Sequence, residues 1–76
     1  MEFRYSKQAV KFLEKQEKIT RQRIFFAIEN LPLGDVKKLT GQPYYRLRVG
    51  SFRILFSRDG QIIDIVKIDN RGQVYK

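Results

Sequence analysis

The chain has no cysteine and no histidine among its 76 residues. Without cysteine it has no disulfide staples and no thiol nucleophile, and without histidine it lacks the commonest general base. Most zinc sites need one or the other. No carboxylate cluster suggests a metal site, so neither metal nor cofactor is expected. Acidic residues are scarce: eight Asp and Glu face sixteen Lys and Arg, a net charge of +8. Such a surplus calls for a polyanionic partner, either nucleic acid or an acidic protein segment, and fits a membrane surface less well. No apolar run is long enough to span a bilayer, and the opening MEFRYSK has no apolar signal region. A soluble cytoplasmic protein is the expectation. The length allows one domain, residues 1–76, with a small core to which a partner would add stability.

What is present centres on YYRLRVGSFRILFSRDG, residues 44–60. Read with period two, Tyr45, Leu47 and Val49 point one way, and Tyr44, Arg46 and Arg48 the other. Gly50-Ser51 supplies a two-residue hairpin turn, with Gly where a positive φ is needed. The turn pairs 49 with 52, 48 with 53, 47 with 54 and 45 with 56. One face is then continuously apolar, through Phe52, Ile54 and Phe56. The other sets Arg48 opposite Arg53, with Arg46 two residues along. Like charges across a sheet are destabilising. A fold gains nothing by assembling them, so an anion is expected there.

Along the rest of the chain, Glu2–Tyr5 reads as a first strand. Ser6 caps a helix reaching Lys18, with Ala9, Val10, Leu13 and Phe12 as its stripe and lysines outside. Thr20 caps a second helix, Arg21–Leu31, carrying Ile24, Ala27, Ile28 and Leu31 and stopped by Pro32. Residues 33–43 read as a loop holding Lys37 and Lys38. Asp59-Gly60 reads as a second turn, pairing 56 with 63 and 54 with 65. That register puts Ile63 and Ile65 in the core, and Ile62, Asp64, Val66 and Ile68 on the arginine face. Residues 69–72 break the strand, and Gln73–Lys76 forms a short final segment. The predicted fold is α+β, in the order β-α-α-β-β-β: two antiparallel N-terminal helices packed on one face of a small antiparallel sheet.

Arg46, Arg48 and Arg53, with Arg71 beyond the third strand of the meander, are the candidate phosphate ligands. Tyr44 and Tyr75 are candidates for stacking on bases. A merely solvated face is the plain alternative, opposed by the facing 48/53 pair and by apolar Leu55, Ile62, Val66 and Ile68 nearby. Lys37 and Lys38 are placed to touch a phosphate backbone, whereas the helix lysines read as a solvated outer face. Asp64 reads as a charge partner of Arg46, and Asp35, Asp59 and Asp69 as turn residues. Tyr45 belongs to the core by alternation.

The stretch DVKKLTGQPYYRLRVGSFRILF and the ending IDNRGQVYK together resemble the RelE/ParE superfamily of bacterial and archaeal type II toxins, and the resemblance extends over essentially the whole chain. For RelE-type members it implies a ribosome-dependent messenger RNA endonuclease that acts in the ribosomal A site. It also implies a cognate antitoxin with an acidic or amphipathic segment that holds the toxin inactive. Arg46 and Arg48 fall where RelE-type enzymes carry basic residues on a strand, and Arg53 matches the arginine of the following strand. Arg71 matches the arginine after the last long strand, and Tyr75 the near-terminal aromatic. The implied chemistry is metal-independent attack of the RNA 2′-hydroxyl on the adjacent phosphate.

Two departures from the family pattern bear on that chemistry. Many relatives have His where this chain has Asn70, and some have lysines where Arg46 and Arg48 stand. Arginine stays protonated and cannot act as an ordinary base. Tyr75, beside the cationic Arg71, is left as the candidate for proton transfer, its plain alternative being an aromatic that closes the core. Two other readings stay open: a ParE-like, non-enzymatic toxin that poisons DNA gyrase, and a basic RNA-binding module without toxicity.

Overall fold

A computed structural model describes residues 1–70. The elements run β1 (Glu2–Tyr5), α1 (Lys7–Glu14), α2 (Lys18–Glu29), β2 (Asp35–Lys38), β3 (Tyr45–Val49), β4 (Phe52–Asp59) and β5 (Ile62–Asn70). The expected arrangement of two helices on one face of a sheet holds. The sheet has five strands in the order β1-β5-β4-β3-β2, and it is mixed rather than antiparallel, because β1 runs parallel to β5. No described helix is long and apolar enough to cross a membrane.

Ser6 caps α1 as expected, its hydroxyl accepting the Ala9 N–H at 3.1 Å and donating to the Val66 carbonyl at 2.7 Å. The helix stops at Glu14, short of the expected Lys18. Its open carbonyl end is met from α2: Arg21 donates to the carbonyls of Leu13 and Gln16, at 3.4 Å each. A cation there also suits the negative end of the helix dipole. α2 accordingly starts earlier than predicted, at Lys18, with Thr20 inside its first turn. It ends at Glu29, before Leu31 and Pro32, and the Asn30 side chain donates to the Phe26 carbonyl.

The core lies between the helices and one sheet face. Ala9, Leu13, Ile24 and Ile28 come down onto Leu47, Ile54, Phe56, Ile63, Ile65 and Ile68, all buried. Val10, expected in the stripe, is largely exposed. Tyr45 stacks on Phe56 at 5.3 Å on the core side, as its alternation required.

The β3–β4 register is the one read from the Gly50 turn, Arg48 opposite Arg53 included. The second hairpin differs. Its turn is Gly60-Gln61, with Gly60 at φ +60 in the first central position, the place of glycine in a type II′ turn. Phe56 therefore faces Ile65 rather than Ile63. Further along, Leu55 faces Lys67 and Ile54 faces Ile68, so Val66 is the extra residue of a β-bulge. A one-residue insertion inverts the faces beyond it. Ile68 is therefore fully buried in the core instead of lying on the arginine face. The shifted turn also changes the neighbours of Asp64, which pairs with Ser57 and Arg4 rather than lying across Leu55 from Arg46. Finally, residues 33–43 are not all loop: they contain β2, which pairs antiparallel with β3. DVKK is short and polar, with Val36 as its single buried-side residue, so it carries no strand pattern of its own.

Candidate nucleic-acid interface

Strand pairing sets two rows of side chains across the outer sheet face. The first is Asp35, Arg48, Arg53 and Asp69, one residue each from β2, β3, β4 and β5; the second is Lys37, Arg46, Leu55 and Lys67. The facing arginines are thus bracketed by carboxylates, which offset the repulsion between them. Arg53 Nη2 lies 3.0 Å from Asp69 Oδ2. Asp35 reaches both β3 arginines, at 3.3 Å to Arg46 Nη2 and 3.9 Å to Arg48 Nε. Asp35 and Asp69, expected in turns, are instead strand residues of this surface. The alternation of Asp35 with Lys37 was the available signal for the first.

The three arginines differ in how free they are. The Arg46 side chain is 16% exposed, Arg53 31% and Arg48 58%. Arg48 is therefore the cation most open to a ligand, and the other two form a partly covered floor. Arg46 Nε and Arg53 Nε are buried and meet no acceptor among the described residues. Buried donors left in this way are rare and favour an incoming acceptor.

A cleft of about 470 Å³ gathers Lys37, Lys38, Arg46, Arg48 and Arg53 together with the Gly50-Ser51 turn. Lys37 faces it directly from the strand opposite Arg46. Lys38 forms part of the rim, but its ammonium lies over the Tyr45 ring, 5.6 Å from the centroid, on the other side of the sheet. Tyr44 is half-buried just before β3 and outside the cleft lining; its carbonyl accepts the Leu39 N–H at 3.0 Å. Arg71 and Tyr75, with the final segment Gln73–Lys76, lie outside the described residues. The cleft can hold an anion bidentately, and the carboxylates that flank its arginines, Asp35 and Asp69, are ion-paired to them, with Asp69 Oδ1 buried and meeting no donor among the described residues.

The profile of a family described as ParE toxin of type II toxin-antitoxin system, parDE, matches residues 3–75. Among solved structures, the toxin of the RelB-RelE antitoxin-toxin complex from Methanococcus jannaschii is 33% identical. Its TM-score is 0.74, over 95% of this chain and 94% of that one. The toxin of the RelE-RelB complex from Pyrococcus horikoshii OT3 is 30% identical, with a TM-score of 0.76 over 95% and 96%. The toxin of the RelBE2 complex from Mycobacterium tuberculosis, 18% identical with a TM-score of 0.72 over 92% and 90%, shares the fold. No curated protein sequence matches the chain.

Proposed function

The chain belongs to the ParE toxin family, within the RelE/ParE superfamily of type II toxin–antitoxin systems, and from that membership we propose that it is a ribosome-dependent messenger RNA endonuclease that inhibits translation in the cytoplasm. The observation that carries this reading is the cleft in which Arg48 stands open above Arg46 and Arg53, with Lys37 beside them.

In this reaction the 2′-oxygen of one nucleotide attacks the adjacent phosphorus while the bond to the 5′-oxygen breaks. A base takes the 2′-hydroxyl proton, and an acid delivers one to the departing 5′-oxygen. The products are a cyclic 2′,3′-phosphate and a free 5′-hydroxyl, and no metal ion is required. Arg46, Arg48, Arg53 and Arg71 hold the phosphate and stabilise the charge of the phosphorane. One well-placed donor of this kind is worth about 3 kcal/mol. None of them serves as the base. Tyr75 takes part in proton transfer, and Lys37 is an amine at the cleft. The ribosomal A site positions the RNA. A cognate antitoxin with an acidic or amphipathic segment covers the cleft, as fits a family whose relatives were crystallised with RelB.

Gyrase poisoning is the second reading. The ParE profile favours it, as does the absence, among the described residues, of any carboxylate base from the cleft lining, the nearby Asp35 and Asp69 being ion-paired to its arginines. One experiment separates the two: induce the protein in cells and map messenger RNA ends for the wild type, Arg48→Ala, Arg71→Ala and Tyr75→Phe. Codon-phased cuts that vanish in the variants support the nuclease. Intact transcripts with accumulating broken DNA overturn it in favour of gyrase.

A further inference from the structure

The outer face of the sheet continues beyond the two arginine rows. Two residues along β4 from Leu55 a third row begins, with Ser57 opposite Asp64 of β5 and Asp64 opposite Arg4 of β1. Phe56, Ile63 and Ile65, their neighbours in the chain, are buried in the core, so by alternation Ser57 and Asp64 belong to the open face. The Val66 bulge makes this arrangement possible. Asp64 and Lys67 are three residues apart and would occupy opposite faces of a regular strand, but the extra residue brings both to the arginine face. About 7 Å of strand separates this third row from the row of Arg46 and Leu55. Asp64 differs from the carboxylates that flank the cleft. Asp35 and Asp69 are ion-paired to arginines, whereas Asp64 is half-buried and, among the described residues, accepts no hydrogen bond and forms no ion pair. Its cross-strand cation, Arg4, is taken by Glu2, with Nε 3.0 Å from Oε2. The half-buried Ser57 hydroxyl is equally unengaged among the described residues.

We propose that Asp64 and Ser57 form a guanine-recognition subsite for the base next to the phosphate that the arginines hold. A bare carboxylate repels phosphate, so Asp64 contributes nothing to holding an RNA backbone. What it suits is the edge of a base. Guanine alone among the four RNA bases presents two adjacent donors, N1–H and N2–H, on its Watson–Crick edge, and one carboxylate accepts both. O6 stands next in line and accepts from the Ser57 hydroxyl. Adenine has an acceptor at N1 instead, and cytosine and uracil carry no such pair of donors. Leu55, half-buried between this row and the arginines, gives the base an apolar surface to lie on. The open face is then divided along its strands: cations at the Gly50 end take the phosphate, and polar acceptor and donor groups further on read the base. The proposal rests on the reading of the cleft as an RNA-phosphate site and adds to it the base that is selected.

The test measures binding of the full chain, at low salt, to single-stranded uridine pentamers that carry one variable base at the centre. A guanine centre is expected to bind at least about tenfold tighter than adenine, cytosine or uracil. Hypoxanthine, which lacks the 2-amino group, falls between. Asp64→Asn is the decisive variant. Its melting is expected to be unchanged, since the side chain is unbonded, and its preference is expected to reverse, with a xanthine centre binding better than guanine. The amide still accepts from N1–H but offers an N–H where the 2-amino group needs an acceptor, and that N–H matches the 2-oxo group of xanthine. Ser57→Ala weakens guanine and hypoxanthine alike, because both keep O6, and Arg48→Ala weakens every pentamer equally. A guanine preference that survives Asp64→Asn overturns the proposal. So does an equal tightening of every pentamer in Asp64→Asn, which makes Asp64 a repelling charge and nothing more. RNA bound by the wild type without base preference overturns the subsite alone, and absence of RNA binding overturns it together with the nuclease reading. A guanine preference that reverses in Asp64→Asn without any cleavage supports the subsite and counts against the nuclease reading only.

Discussion

Gln8 holds both main-chain polar groups of Ile68: its amide nitrogen donates to the Ile68 carbonyl at 2.8 Å, and its amide oxygen accepts the Ile68 N–H at 2.9 Å. β1 pairs with β5 only as far as Tyr5 and Ile65. Beyond that point Ser6 and Gln8, at the start of α1, continue the hydrogen bonding of a strand edge that the backbone has left. Gln8→Ala strands a donor and an acceptor there. A loss of about 2 kcal/mol is expected, read by chemical denaturation, with faster hydrogen exchange at Ile68 than at Ile65.

Arg48 and Arg53 face each other but should respond differently to removal. Arg48→Ala takes away an exposed cation with only a 3.9 Å ion pair, so cleavage is expected to fall by about 10²- to 10³-fold with little change in melting temperature. Arg53→Ala also leaves Asp69 half-buried without its cation. A further loss of about 1 kcal/mol in stability is expected. Paired melting and single-turnover cleavage measurements distinguish the two.

Asp35 restrains both β3 arginines from an edge strand. Asp35→Asn releases them and removes one repelling charge. Binding of a short single-stranded RNA is expected to tighten several-fold. Its logarithmic salt slope is expected to steepen by about 0.7 for each further phosphate that the freed arginines neutralise. An unchanged slope in salt titrations would show that Asp35 does not hold the arginines back from RNA.

Burial pushes the Tyr5 phenol above its ordinary value of 10.0, with a smaller contribution from Glu29. The unfolded chain therefore gives up this proton first. The stabilisation is complete below pH of about 10 and is lost as pH rises through the higher folded value. Tyr5 packs edge-on to Phe25 at 5.7 Å, so Tyr5→Phe keeps the packing. Comparing melting of the two proteins between pH 8 and 11 should show a shallower alkaline decline in the variant.

The parts of the fold that can be read from sequence are those set by local rules. The Gly50 turn and strict alternation dictate the β3–β4 pairing, the core face and the arginine face. Helix spacing picks out Ile24 and Ile28. The parts that stay hidden depend on distant partners. Parallel pairing of Glu2–Tyr5 with β5 has no local signature, and β2 carries too little apolar pattern to announce a strand. The Val66 bulge shows only once β4 is beside it, and with it go the burial of Ile68 and the placing of Asp69 against Arg53. Aspartate's preference for turns conceals Asp35 and Asp69, whose strand roles depend on arginines from other strands.

The parallel contact between β1 and β5 has a temporal side. Ser6 and its Val66 acceptor are sixty residues apart in the chain. β1 therefore waits, unpaired, until nearly all the rest of the sheet has been made. Helices and the β3–β4 hairpin rest on short-range contacts and can organise early, but the sheet cannot close until β5 is inserted between β1 and β4. Closing such long loops slows folding and leaves strand edges uncovered meanwhile. The half-built chain would expose β1 and β4 to any passing strand. That gives a cell a physical reason to keep a binding partner at hand during synthesis as well as after it.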